Sequence, residues 1–218
     1  MRRIPVAAAL TAALLLAACD ASLGTLTAGA RQAELEGALL TLDDVLSAAS
    51  IPTGITEVDP ARANLTEDPD QRGPCGAPVD PLPLLDGAIA VFGTDDFIVV
   101  NVVLTDTGGL AERRTAALIE DLRPDCDGYV KDETPFGKPQ AVRLVGPVEL
   151  GDLGDQRIAF QVEAVVEDED PAFGVEVAIR SGDALTEVLV LATDRVLDET
   201  VADLADAAAA RLAAFLSG

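Results

Sequence analysis

The sequence has no histidine among its 218 residues. Histidine is the usual general base in catalysis, the commonest metal ligand and the side chain that most easily changes charge near neutral pH. Tryptophan is also absent, and tyrosine occurs once. These absences argue against many classes of enzyme, so we expect a protein with no catalytic activity and no cofactor.

Basic residues are scarce, with 15 lysines and arginines against 38 acids and a formal net charge of -23. Beyond the N-terminal pair Arg2 and Arg3, their one cluster is Arg113 and Arg114. A chain this acidic has nothing that follows a phosphate backbone, which argues against nucleic acid as a partner. Anionic lipid headgroups would also repel it, so any attachment to a membrane should depend on an anchor.

Cysteine occurs three times, and the first cysteine follows an export signal. Arg2 and Arg3 precede an apolar run over residues 4–18, which is too short to span a bilayer as a helix. The run ends in Leu16-Ala17-Ala18-Cys19, which resembles a bacterial lipobox. The alternative is an ordinary secretory signal with an incidental cysteine.

The lipobox predicts a lipoprotein signal peptide over residues 1–18 and diacylglycerol and palmitate on Cys19. We expect a flexible tether over residues 19–36 and one domain over residues 37–218. The predicted location is the extracytoplasmic face of a cell membrane, with the lipid anchor as the membrane contact.

Cys75 and Cys126 remain after Cys19 is assigned to the anchor, and an even count in an exported chain predicts a disulfide. Closing this loop would stabilise the fold by roughly 4 kcal/mol in the entropy model. The competing interpretation is a redox-active or nucleophilic thiol, although the chain has neither a C-x-x-C spacing nor a histidine partner.

The order of patterns predicts an α+β fold: an antiparallel or mixed β-sheet of about six strands, packed by two to three helices and holding one disulfide. The long segments Pro52 to Pro83 and Asp125 to Pro139 are expected to be irregular. The predicted strands are Gly87 to Gly93, Phe97 to Thr105, Ala141 to Val145, Arg157 to Glu167, Ala172 to Ser181 and Leu185 to Ala192.

Three helices are expected, over Thr41 to Ala49, Leu110 to Leu122 and about Asp198 to Leu216. Thr41 and Asp44 have nearly the spacing and chemistry of a capping box. The predicted buried side chains of the first helix are Leu42, Val45 and Leu46, and those of the last are Leu197, Val201, Leu204, Ala208, Leu212 and Phe215.

Several residues could carry chemistry, and each also has a structural interpretation. Four consecutive acids, Glu167, Asp168, Glu169 and Asp170, are a weak calcium candidate, but their spacing fits a solvated hairpin tip better. The tripeptide Asp106-Thr107-Gly108 occurs in aspartic proteases, but a strand-to-helix turn explains it. Asn101 could line a pocket, although a hydrogen-bonded core amide is the simpler expectation.

A resemblance to a known family rests on the order of several short motifs. These are the lipobox, Leu39-Leu40-Thr41 at the opening helix, a proline- and aspartate-rich segment with one cysteine, Leu153-Gly154-Asp155 before an alternating strand, the Gly182-Asp183 hairpin and the closing helix. The chain resembles actinobacterial lipoproteins that share the extracellular sensor domain of PknH-type serine/threonine kinases. The resemblance implies an α+β domain with a cleft between sheet and helices and a sensing role without known catalysis. It implies no particular ligand residues.

We therefore expect a lipid-anchored domain that presents a cleft to a small molecule or an envelope component. The main alternative is a protein-interaction module of the envelope, and a hydrolase that uses carboxylates is a third. A ligand-binding domain should have a pocket, an interaction module should have an exposed patch without a cavity, and a hydrolase should have two acids together in a cleft.

Overall fold

An antiparallel sheet of eight strands forms the body of the protein in the computed structural model. The structure describes residues 33–58, 86–94, 96–105, 129–131, 140–147, 156–166 and 171–218. The strands are β1 (Thr56–Val58), β2 (Asp86–Gly93), β3 (Phe97–Thr105), β4 (Tyr129–Lys131), β5 (Gln140–Pro147), β6 (Gln156–Val166), β7 (Ala172–Ser181) and β8 (Ala184–Ala192). Their order across the sheet is β1-β2-β3-β8-β7-β6-β5-β4, and every neighbouring pair is antiparallel.

The α+β class and the antiparallel sheet are confirmed, and the six long strands lie within two residues of their predicted ends. Two strands that were not predicted, β1 and β4, have three residues each and extend the six long strands to eight. Three residues are too few to show an alternating pattern, and both strands lie at an edge with one neighbour. The segments expected to be irregular therefore each contribute a short edge strand.

Strands β3 and β8 join two parts of the sheet that are distant in sequence, with Phe97 opposite Ala192 and Thr105 opposite Ala184. Every residue of both strands is buried. This confirms that the continuous apolar run of β3 is a central strand covered on both faces.

The hairpin between β7 and β8 has a two-residue loop, Gly182-Asp183, because Ser181 pairs with Ala184. Gly182 has a φ of 56°, which a residue without a Cβ adopts at little cost. The turn fixes the register in which Val188 and Val190 of β8 face the helix-covered side of the sheet. The predicted hairpin is therefore confirmed.

The long C-terminal helix covers one face of this sheet. It runs over Asp198–Ser217, which we call α2, and packs against β7 and β8. Its buried residues are Thr200, Val201, Leu204, Ala205, Ala208 and Leu212. Two predicted core residues differ: Phe215 is half-buried, and Leu197 is 49% exposed because it is the extended N-cap residue. Within the described ranges, no helix is long and apolar enough to cross a membrane.

A short helix, α1 (Leu42–Ser47), lies beside α2. Thr41 and Asp44 form the predicted capping box, but the helix ends earlier than expected because Ala48 is already extended. Only Val45 of its three expected core residues is fully buried, and Leu46 is 50% exposed. A helix of six residues has too little length to bury all its apolar side chains against one neighbour.

The folded body begins before the predicted domain boundary at residue 37. Residues 33–37 are helical, and Leu35 is 1% exposed within the hydrophobic core. The last four residues of the expected tether over residues 19–36 therefore belong to the folded body.

Candidate functional site

An open cleft of about 520 Å³ lies at one end of the sheet, beside the start of α2. Three segments that are distant in sequence build it: the turn after α1, the turn between β2 and β3, and the connection from β8 to α2. Its lining residues are Ser50, Pro52, Thr53, Thr94, Asp96, Phe97, Ala192, Thr193, Asp194, Arg195, Val196, Leu197 and Thr200.

The wall formed by the turn after α1 is held on α2 by three hydrogen bonds. The Ala49 backbone N–H donates to Asp203 Oδ2 over 2.8 Å, and the Thr200 hydroxyl donates to the Ala49 carbonyl over 2.9 Å. The Ser50 hydroxyl donates to Glu199 Oε1 over 2.8 Å. Ser50 has a φ of 59°, a left-handed conformation that costs a non-glycine residue free energy. These bonds fix the wall in spite of that cost.

The opposite wall consists of the two loops at the ends of β2 and β8. The Thr94 N–H donates to the Phe97 carbonyl over 2.8 Å and closes the β2–β3 turn. The Thr193 N–H donates to the Asp96 carbonyl over 3.1 Å and ties this turn to the end of β8. This bond brings the loop that holds Asp96 next to the loop that holds Asp194.

Three of the four buried residues that line the cleft are apolar. Phe97, Ala192 and Val196 are 6%, 7% and 6% exposed, so they form its floor. Leu197, at the entrance to α2, is half exposed and gives the cleft an accessible apolar side chain. The cleft can therefore bind an apolar group at its floor and polar groups at its rim.

The hydroxyl groups of Ser50, Thr94 and Thr200 in the cleft wall bond to the protein itself. Ser50 and Thr200 donate as described, and the Thr94 hydroxyl accepts from the Asp96 N–H over 3.3 Å. The charged side chains at the rim differ from these hydroxyls. Among the described residues, the side chains of Asp96, Asp194 and Arg195 have no hydrogen bond or ion pair. They are exposed and available to a ligand.

The start of α2 adds further negative charge next to the cleft. A helix of 20 residues carries a partial positive charge at its N-terminus. Asp198 and Glu199 occupy the first turn and offset that charge, and Leu197 makes no side-chain capping bond. The start of α2 is therefore not a simple anion site.

A second polar cluster, away from the cleft, joins α1 to α2. Arg211 Nε donates to Asp44 Oδ2 over 3.0 Å, and Arg211 Nη2 lies 2.8 Å from the same oxygen. Thr41 donates to Asp44 Oδ2 through its backbone N–H and its hydroxyl, over 2.8 Å and 2.7 Å. Burial raises the pKa of Asp44, but these hydrogen bonds and the Arg211 charge outweigh it and hold the pKa below 3.8.

The contacts of Asn101 confirm that it is a hydrogen-bonded amide in the core. Its side chain is fully buried; Nδ2 donates to Thr186 Oγ1 over 2.8 Å and to the Glu187 carbonyl over 3.0 Å. Its Oδ1 accepts from the Leu40 N–H over 2.8 Å. Asn101 therefore attaches the segment before α1 to the sheet, outside the cleft lining.

Two further acids are buried in the sheet, on the face opposite α2. Glu176 and Glu187 are 3% and 4% exposed and lie diagonally across β7 and β8, because Glu176 pairs with Leu189 and Ala178 pairs with Glu187. Both residues take part in further interactions. They lie outside the cleft, so they do not supply a pair of acids within it.

Several predicted site residues lie outside the described residues. They are Cys19, Cys75, Cys126, the acidic run Glu167, Asp168, Glu169 and Asp170, and the tripeptide Asp106-Thr107-Gly108. In the part of the chain that the structure does describe, no three acids or cysteines come together as a metal site.

The cleft residues were not predicted from the sequence. Asp96 and Asp194 are two acids among 38 and are 98 positions apart, so no local motif connects them. The one available signal was position: both lie in loops directly beside strands that were predicted correctly. The pairing of β3 with β8 was needed to bring the loops together.

Comparison with known proteins shows a similarity in fold to a solved structure. No protein-family model matches the sequence, and no curated protein matches it. Among solved structures, the chain is similar to the extracellular domain of PknH from Mycobacterium tuberculosis, with 10% sequence identity and a TM-score of 0.50. The similarity covers 86% of this chain and 97% of that domain. At this identity it shows a distant resemblance in fold, which is the architecture that the sequence motifs implied.

Proposed function

We propose that this protein is a lipid-anchored, extracytoplasmic binding domain that senses or carries a small molecule or envelope component without catalysing a reaction. The observation that carries the proposal is the cleft of about 520 Å³ at the start of α2. Small-molecule sites have volumes of roughly 300–1,000 Å³ and combine apolar walls with a few polar groups. The cleft has this size and this composition.

The location rests on two independent supports. The sequence begins with the cationic segment, apolar run and Leu16-Ala17-Ala18-Cys19 of a lipoprotein signal. The fold resembles that of a domain described as extracellular in a kinase. We propose that Cys19 is acylated, that the lipid is the membrane contact, and that Cys75 and Cys126 are joined in the oxidising compartment.

Two half-exposed leucines allow a matched test of binding. Leu197 lies in the cleft and is 49% exposed, whereas Leu46 lies on α1 outside it and is 50% exposed. The probe is the metabolite-sized fraction of an extract of the native envelope, and the measurement is thermal stabilisation of the protein. We expect stabilisation of the wild type and of Leu46→Gln, and its loss in Leu197→Gln.

Two results would contradict a binding role for the cleft. One is equal stabilisation of all three proteins, which would place the ligand elsewhere. The other is no stabilisation by the small-molecule fraction together with binding to intact envelope proteins, which would favour the protein-interaction module. Both variants exchange a leucine of equal exposure, so their own stabilities should change alike.

The anchor and the disulfide have a separate test. Intact mass of the protein from its native membrane should match cleavage before Cys19 plus the lipid, with no alkylation of Cys75 or Cys126 before reduction. A mass without lipid would contradict the proposed lipid anchor. Two thiols that alkylate without reductant would make both cysteines candidates for reactive sites.

A further inference from the structure

The charged groups available at the cleft rim are mostly negative. Asp96 and Asp194 have no partner among the described residues, and their loops are joined by the bond between the Thr193 N–H and the Asp96 carbonyl. Arg195 is the single basic side chain among the described residues that line the cleft. For these residues, one negative charge therefore remains in excess at the rim.

The charges around the cleft increase its preference for a cationic ligand. Asp198 and Glu199 offset the partial positive charge at the start of α2, which would otherwise attract an anion. The whole chain carries a formal charge of -23, so the long-range field also attracts cations and repels anions. Among the described residues that line the cleft, only Arg195 would offer an anionic ligand an opposite charge.

The apolar part of the cleft lies beside these carboxylates. Phe97 is in the floor and directly follows Asp96, while Leu197 and Val196 follow Asp194 and Arg195 along the connection to α2. The same ligand can therefore place an alkyl group on the floor and a positive charge at the rim.

On the basis of the proposed binding function, we infer that the cleft selects a small ligand with a protonated amine next to a short apolar chain. The ammonium group lies at the carboxylates of Asp96 and Asp194, and the apolar chain contacts Phe97 and Leu197. No covalent step is involved. Arg195 lowers the affinity for such a ligand because it carries the same charge.

Three probes of equal chain length separate charge from hydrophobic contact: hexylammonium, hexanol and hexanoate. Binding is measured from backbone amide shifts over residues 192–200 of the full mature chain. We expect hexylammonium to bind more tightly than hexanol and hexanol more tightly than hexanoate, and added salt to weaken only the first. Ligands of this size bind weakly, so the titrations extend to millimolar concentrations.

Three substitutions test the effect of each charged side chain at the rim. Asp96→Asn and Asp194→Asn should each weaken hexylammonium binding by up to roughly five-fold, as expected for an exposed ion pair. Arg195→Gln should strengthen it by a similar factor. Binding of hexanol should stay unchanged in all three variants, which shows that the cleft is still folded.

Equal binding of hexanol and hexylammonium would overturn the inference and leave the apolar floor as the only attraction. Tighter binding of hexanoate would also overturn it and would assign the site to Arg195 and the start of α2. In both cases a ligand still occupies the cleft, so the proposed function survives. If none of the probes shifts residues 192–200, the inference is wrong, and the envelope extract decides the proposed function separately.

Discussion

The contact that attaches the N-terminal segment and the cleft at the start of α2 use polar side chains in opposite ways. In the first, Asn101 bonds to Leu40, Thr186 and Glu187, and Asp44 bonds to Thr41 and Arg211. In the second, Asp96 and Asp194 have no partner among the described residues. Polar groups that satisfy one another stabilise the fold, whereas polar groups left at a rim are available to a ligand.

This difference predicts that substitution of Asn101 causes the largest loss of stability. Asn101→Ala leaves the buried Leu40 N–H without its acceptor and removes two side-chain hydrogen bonds to β8, so we expect the free energy of unfolding to fall by about 3 kcal/mol. Urea denaturation measures the loss. Hydrogen exchange at the Leu40 amide should also accelerate beyond the global effect, because its acceptor is gone.

The control for this prediction is Val103→Ala, on the same face of β3. It removes buried apolar area and should cost roughly 2 kcal/mol, but the Leu40 acceptor remains. If Leu40 exchange changed equally in both variants, apolar packing rather than the Asn101 amide would attach the N-terminal segment.

A smaller, pH-dependent effect is expected at Asp44. Its pKa is lower in the folded chain than its ordinary value of 3.8, so its stabilisation is present above that value and is lost as the pH falls through the folded pKa. Asp44→Asn should cost about 1 kcal/mol near neutral pH, and this difference should shrink below about pH 4. Denaturation of both proteins across pH measures it.

Asp43→Asn is the matched control, because Asp43 lies in the same first turn of α1 and shares its position near the helix N-terminus. We expect it to cost less than Asp44→Asn, since Arg211 contacts Asp44. Equal losses with equal pH dependence would assign the effect to the helix terminus rather than to the cluster of Thr41, Asp44 and Arg211.

Ser50 lies in the turn after α1, which forms one wall of the cleft. Its substitution tests whether this wall is strained. Ser50→Ala and Ser50→Gly both remove the hydrogen bond to Glu199, but only glycine adopts the φ of 59° at little cost. After allowing for the greater freedom of glycine in the unfolded chain, Ser50→Gly should be more stable than Ser50→Ala by roughly 0.5–1 kcal/mol. Thermal denaturation compares them, and equal stabilities would mean that the turn carries no strain.

The sequence predicts local features of this fold better than the site. Turn residues bound strands such as Ala172–Ser181, which has the predicted ends, because these signals are contained in neighbouring residues. The exposure of Leu46 and Leu197 is missed because spacing alone does not show where a short helix ends or an N-cap begins. The cleft is missed because the pairing of β3 with β8 creates it.

The smallest expected effect concerns Asp96. Because its carboxylate makes no bond to the described part of the fold, Asp96→Asn should change the free energy of unfolding by less than about 0.5 kcal/mol. Urea denaturation beside Asp44→Asn gives the direct comparison of a cleft acid with a structural acid. A loss as large as that of Asp44→Asn would mean that Asp96 stabilises the fold. A neutral effect on stability, with weaker hexylammonium binding, would assign its charge to recognition.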